Sequence, residues 1–157
     1  MIRALCLLLP LLLAACGAQE QSCPFEGKAD YAPSAGCLAV VHGKVLVIEN
    51  LGGKISPPGG KALPGEAAQC AAFRETYEET GLHLMPGELI AVFDTGFHLY
   101  HCEIHTGSGT IDPALLEARR GFWLSLDEFN DVEWRFPGQG AALWDILNAS
   151  PGADQQQ

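Results

Sequence analysis

Apolar and polar positions change period several times along this chain, and the changes mark its elements. Cys37 to His42 and Lys44 to Glu49 are two nearly continuous apolar runs split by Gly43, which predict a hairpin of buried strands. Gly52 to Gly65 is a Gly/Pro loop. Glu66 to Thr80 has no internal Gly or Pro, is rich in Ala and stops at Gly81, predicting a helix closed by a left-handed glycine cap. Leu89 to Phe93, Gly96 to His105 and Gly121 to Leu126 predict three more strands, with a loop over Thr106 to Asp112, and Gly138 to Asn148 predicts a closing helix. Strands mixed with two helices indicate an α/β protein. With no internal repeat and no second linker, the body of about 120 residues is large enough for a single core.

The first residues follow a different pattern. Met1-Ile2-Arg3 is a short positive start, Ala4 to Ala15 is uncharged and apolar, and Leu13-Ala14-Ala15 leads into Cys16. Residues 1–15 read as a secretion signal, too short to span a membrane. Leu13-Ala14-Ala15-Cys16 resembles a bacterial lipobox, which implies a lipidated Cys16, palmitate among its chains. Each buried CH₂ contributes ~0.8 kcal/mol, so anchoring by more than one chain would be stable. Gly17 in the next position is similar to lipoproteins forwarded to an outer membrane, which implies a lipid-anchored domain facing the periplasm. The alternative is an ordinary cleaved signal with Cys16 incidental. Residues 16–35 are polar and Gly/Pro-containing and read as a tether, and residues 151–157 as a disordered tail.

The chain carries a formal charge of −10, and loss of Arg3 with the signal leaves eight basic against 19 acidic residues, a balance of −11. Such a surface argues against nucleic acid as a partner. Of six cysteines, Cys23, Cys37, Cys70 and Cys102 remain after Cys6 and Cys16 are set aside. An extracytoplasmic compartment permits disulfides, and four cysteines allow three full pairings. The expectation is Cys23 with Cys37, closing a loop of about 15 residues for roughly 3 kcal/mol. Cys70 and Cys102 are then small buried hydrophobes. No cysteine spacing suggests zinc.

The chemistry concentrates between Gly60 and Leu82. On a helix, Glu75, Glu78 and Glu79 share one face, where like charges at such spacings cost ~0.2–0.5 kcal/mol per pair. The negative end of the helix dipole lies nearby and adds to the cost. Such a cluster invites a compensating cation, and an all-oxygen set suits hard Mg²⁺ or Mn²⁺. Arg74 is placed to pair with one carboxylate and fix its orientation. The alternative is a solvated acidic helix face.

The offsets favour the first reading. Gly60, five residues, Glu66, seven residues, Arg74-Glu75-Thr76, one residue, Glu78-Glu79, one residue and Gly81-Leu82 resembles the Nudix hydrolase signature. Only Thr76 departs, standing where the family prefers an aliphatic side chain. The resemblance implies an α/β/α sandwich with a mixed sheet over residues 36–150, and divalent-metal-dependent hydrolysis of a diphosphate linkage in a nucleoside diphosphate derivative. Water would attack phosphorus. By the same resemblance Glu75, Glu78 and Glu79 are metal ligands, Gly59 adds a backbone carbonyl, Glu78, Glu79 and Arg74 are catalytic, and Gly60, Glu66 and Gly81 are supports.

The general base of this family comes either from the box or from a later loop; Glu78 is the expected base here, with Glu117 as the loop candidate. Many relatives carry an acid just before a tryptophan, whereas Arg119-Arg120-Gly121-Phe122 precede Trp123. Arg119 and Arg120 could meet substrate phosphates or serve as solubilising surface. The competing class is a non-catalytic Nudix-like lipoprotein that binds a nucleotide or a protein partner, but a degenerate domain would be expected to lose the box carboxylates, which this chain keeps. Nothing in the sequence specifies the substrate beyond a small diphosphate.

Strand alternation puts His101, Glu103 and His105 on one face and His98 on the other. Such a trio could bind a metal, but alternating polar residues more often mark a solvent face. Phe97, Tyr100, Phe122, Trp134 and Phe136 could stack on a base or fill the core.

Overall fold

The structure is a computed structural model that describes residues 22–113 and 117–149. The signal at 1–15, Cys16 and the tail at 151–157 lie outside the described residues. Among the described residues eight strands and two α-helices follow in chain order: β1 (Ser34–Leu38), β2 (Val40–Val41), β3 (Lys44–Glu49), β4 (Ile55–Ser56), β5 (Gly59–Lys61), α1 (Ala68–Thr80), β6 (Leu84–Val92), β7 (Phe97–Ile104), β8 (Arg120–Ser125) and α2 (Gln139–Ala149), with a 3-10 turn at Leu126–Glu128.

One sheet runs β5-β1-β7-β6 and the other β2-β3-β4, with β8 also paired to β3. Strands β1 and β7 are parallel and the other pairs antiparallel, so the architecture is a mixed-sheet α/β fold. Period-2 alternation assigns the two faces. Ala35, Cys37, Leu46, Tyr100 and Cys102 pack with Ala68, Ala71 and Ala72 of α1. Leu38, Val45, Val47, Leu99 and Leu124 pack with Leu143 and Leu147 of α2 and with Phe129. Small alanines on α1 let the helix that carries the acidic cluster lie close to the sheet.

Helix α1 starts two residues later than its sequence predicts. Glu66 turns back to accept the Leu63 N–H (2.8 Å), and Ala67 is extended with no side-chain cap. The Ala68 N–H donates instead to the Asp30 carbonyl (2.7 Å), satisfying one of the free amides at the helix start. At the far end Gly81 (φ 74°) is the left-handed cap, its N–H on the Tyr77 carbonyl. Strand β6 begins at Leu84 rather than Leu89. It runs through Pro86 and Gly87 by shifting register between Pro86 and Leu89 and again by Ala91. A sheet edge tolerates a proline and bulges in this way.

Two expectations are corrected. The disulfides join Cys23 to Cys70 and Cys37 to Cys102, not Cys23 to Cys37. Strand β1 lies beside β7 with Cys37 opposite Tyr100, so Cys37 and Cys102 share the α1-facing surface. The segment from Cys23 to Pro33, expected as part of a free tether, is fastened to the domain. Besides its disulfide, the Asp30 N–H donates to Gln69 Oε1 (3.1 Å), and Gln69 Nε2 to the Lys28 carbonyl (3.2 Å). The Asp30 carboxylate accepts from Tyr100 Oη (2.7 Å) and meets His98 Nδ1 (2.6 Å).

Candidate active site

Strand β5 and the C-terminal half of α1 bring the box residues together. Glu79 Oε2 accepts the Gly59 N–H at 2.7 Å. Glu75 packs against Gly60 so closely that a Cβ there would lie 2.3 Å from a carboxylate oxygen. A side chain at position 60 would therefore displace Glu75. Arg74 Nη1 donates to Glu75 (2.8 Å) and Glu78 (3.0 Å), its Nε and Nη2 to Glu66 (2.9 and 3.0 Å), and Nη2 also to the Lys61 carbonyl (2.9 Å). One guanidinium thus ties three box carboxylates to the strand. Multiple charge-assisted bonds of this kind use the fixed fork of arginine, which lysine lacks.

The carboxylates differ in environment. Glu79 is 7% exposed, and burial, with the charges of Glu75 and Glu117 adding, pushes its pKa up to about 8 against the opposing Gly59 N–H and Arg135. Burial likewise raises Glu75, and the Arg74 bonds only partly offset it. Burial also penalises Glu66, but there the bonds from Arg74 and Leu63 prevail and hold its carboxyl below the ordinary range. The side chain of Glu78 remains 37% exposed. Helix α1 therefore carries one deeply buried carboxylate, one half-buried and one open to solvent.

The donor set is all oxygen, and Glu79 is a buried carboxylate with one backbone N–H as partner, so its chemistry fits a hard divalent cation. Among the described residues no three ligand-type side chains converge as a ready cage, since Arg74 bonds both Glu75 and Glu78. At Thr76, where the family prefers an aliphatic side chain, the hydroxyl is fully buried and its Oγ1 has no partner.

Other candidates separate from this site or join it. Glu117 lies within electrostatic reach of Glu75 and Glu79. Arg119 and Arg120 instead both donate to Glu49, at 3.0 and 2.8 Å, and Arg120 stacks over Phe122. His101, Glu103 and His105 are exposed. Tyr100 is buried and Phe97, Phe122 and Trp134 pack on the α2 side of the core, whereas Phe136 is 53% exposed. Sequence reasoning passed over two residues. Asp30 gave no signal beyond being an acid in a polar stretch. The one signal at Arg135 is its setting, a cation between Trp134 and Phe136.

The NUDIX domain family model matches residues 30–142. Among solved structures, a NUDIX hydrolase from Nitrosomonas europaea is 21% identical with a TM-score of 0.62, covering 75% of this chain and 89% of its own. An ADP-ribose pyrophosphatase from Streptococcus suis is 20% identical (TM-score 0.63; 75% and 90% covered). The MutT protein from Bacillus halodurans is 24% identical (TM-score 0.57; 74% and 82% covered). No curated protein matches the chain. The fold these structures share with it, and a family match that spans most of the domain and includes the Glu66 to Glu79 constellation, establish that the chain belongs to the NUDIX family.

Proposed function

We propose that this chain hydrolyses a diphosphate linkage in a nucleoside diphosphate derivative, using divalent cations held by Glu75, Glu78 and Glu79 with the Gly59 carbonyl. The observation that carries the reading is the gathering of Glu75 and Glu79 on Gly60 and Gly59, with Glu79 buried at a cost that the Gly59 N–H offsets only in part and that a cation would relieve. A bound divalent cation supplies neutralisation of phosphoryl charge and acidification of water. Arg74 holds Glu75 and Glu78 in register with the β5 backbone. Glu78, the carboxylate open to solvent, takes the proton from the attacking water, and Glu117 is the loop alternative.

We also propose that the domain works outside the cytoplasm, anchored in the bacterial envelope by lipid on Cys16. The two disulfides support an oxidising compartment. Phosphate release from a panel of nucleoside diphosphate derivatives with Mg²⁺, using protein that starts after Cys16, tests the chemistry beside Glu79→Gln. Turnover that persists in EDTA would overturn the metal-dependent reading. Radiolabelled palmitate incorporated in cells and lost in Cys16→Ser tests the anchor.

A further inference from the structure

We propose that Arg135 binds the substrate's diphosphate, with Phe136 holding its guanidinium in place, and that Arg119 and Arg120 take no part. This rests on the hydrolase reading above and names the residue that grips its substrate. Four arginines lie in the described residues. Arg74 is spent on Glu66, Glu75 and Glu78, and Arg119 and Arg120 are spent on Glu49. Arg135 makes no salt bridge among the described residues.

Its backbone position is fixed relative to the site. The Arg135 N–H donates to the Ile55 carbonyl (2.7 Å) and the Ile55 N–H to the Glu133 carbonyl (2.9 Å), so the segment pairs alongside β4. Strand β4 ends three residues before Gly59, the donor to Glu79. Trp134 anchors the turn from behind, its Nε1 on the Phe129 carbonyl (3.1 Å) and its ring against Phe129. The guanidinium then lies over the exposed Phe136 ring, 5.3 Å from the centroid, an arrangement that holds a cation without consuming its N–H donors. Its pairing with Ile55 sets Arg135 beside the strand that leads four residues on into Gly59, the donor to Glu79, on the flank of the site where diphosphate would bind.

A cation is needed there. The carboxylates that hold metal would repel an anionic substrate, and in a protein of net −10 an unneutralised guanidinium offers two parallel N–H donors to a phosphate.

The test uses the chain from Cys23 onward with Mg²⁺. Calorimetric binding of methylenediphosphonate, a non-hydrolysable diphosphate without the variable moiety, is measured for wild type, Arg135→Gln, Arg135→Lys, Phe136→Leu and Lys44→Gln, beside KM and kcat on whichever derivative the wild type hydrolyses. Loss of a charged hydrogen-bonding group predicts about 10- to 100-fold weaker binding and a matching rise in KM for Arg135→Gln. Arg135→Lys should recover part of it, Phe136→Leu should lose about 2- to 5-fold, and Lys44→Gln should match wild type. The Mg²⁺-dependent melting shift should persist in Arg135→Gln. Unchanged binding and KM in Arg135→Gln, with an active wild type, would overturn the role of Arg135 alone. A wild type with neither turnover nor a Mg²⁺ melting shift would overturn the hydrolase reading as well.

Discussion

The two ends of α1 handle polar groups in opposite ways. At the N-terminal end, Cys70 is bonded to Cys23, the Ala68 N–H has the Asp30 carbonyl, Gln69 is bonded twice, and the Asp30 carboxylate takes Tyr100 and His98. In the C-terminal half, Glu75, Glu78 and Glu79 crowd one another, and Glu79 is buried with a single N–H donor. The first arrangement stabilises the helix and the second strains it electrostatically. Arg74 relieves Glu75 and Glu78 in part, so Glu79, with one backbone donor, has the most to gain from a cation. Fastening the other end of the same helix, away from the chemistry, offsets that cost.

Changes at the acidic half should have the largest functional effect. Glu79→Gln should lower kcat/KM by about 1,000-fold or more, equivalent to ~4 kcal/mol of transition-state stabilisation, while raising the melting temperature without cation, since a neutral amide suits the buried site. Steady-state kinetics beside calorimetric melting checks both. A lower melting temperature in the variant would mean that Glu79 is stabilising after all.

At the fastened half, replacing Cys23 and Cys70 together by Ala should cost roughly 4 kcal/mol in the chain-entropy model for a 47-residue separation. Urea unfolding should show a lower midpoint, with kcat/KM at 25 °C changed far less than by Glu79→Gln. If activity falls as steeply as stability, the two ends are not independent.

The halves should also differ in pH response. Glu79 has a folded pKa of about 8 against 4.5 when unfolded, so over that window the folded state keeps a proton the unfolded state has lost, and stability falls as pH rises. Mg²⁺ should flatten the slope by taking the proton's place. Asp30 works the other way. The Tyr100 hydroxyl, opposed by burial and helped by His98, holds its carboxyl below 3.8, so its stabilisation is present above that value and is lost as pH falls further. Melting temperatures from pH 3 to 9, with and without Mg²⁺, separate the two contributions.

The smallest expected effect lies between the halves. Thr76→Val removes a buried hydroxyl with no partner and should stabilise by about 1–2 kcal/mol at nearly constant volume, measured by urea unfolding. A loss would show that the hydroxyl is satisfied in solution.

The sequence by itself determined the helix that carries the site, the order of the elements and the NUDIX family. These follow from local periodicity, from Gly81 as a cap and from carboxylates at fixed offsets along one helix. Only the tertiary structure decided the partners of groups far apart in the chain. Cys23 met Cys70, Asp30 met Tyr100, and Arg119 and Arg120 met Glu49 rather than the box. Glu79 became buried while Glu78 stayed open, although both are glutamates on one helix face. Each outcome depends on which strands neighbour each other and how deeply the helix sits on them, and neither quantity has a local signature in the chain.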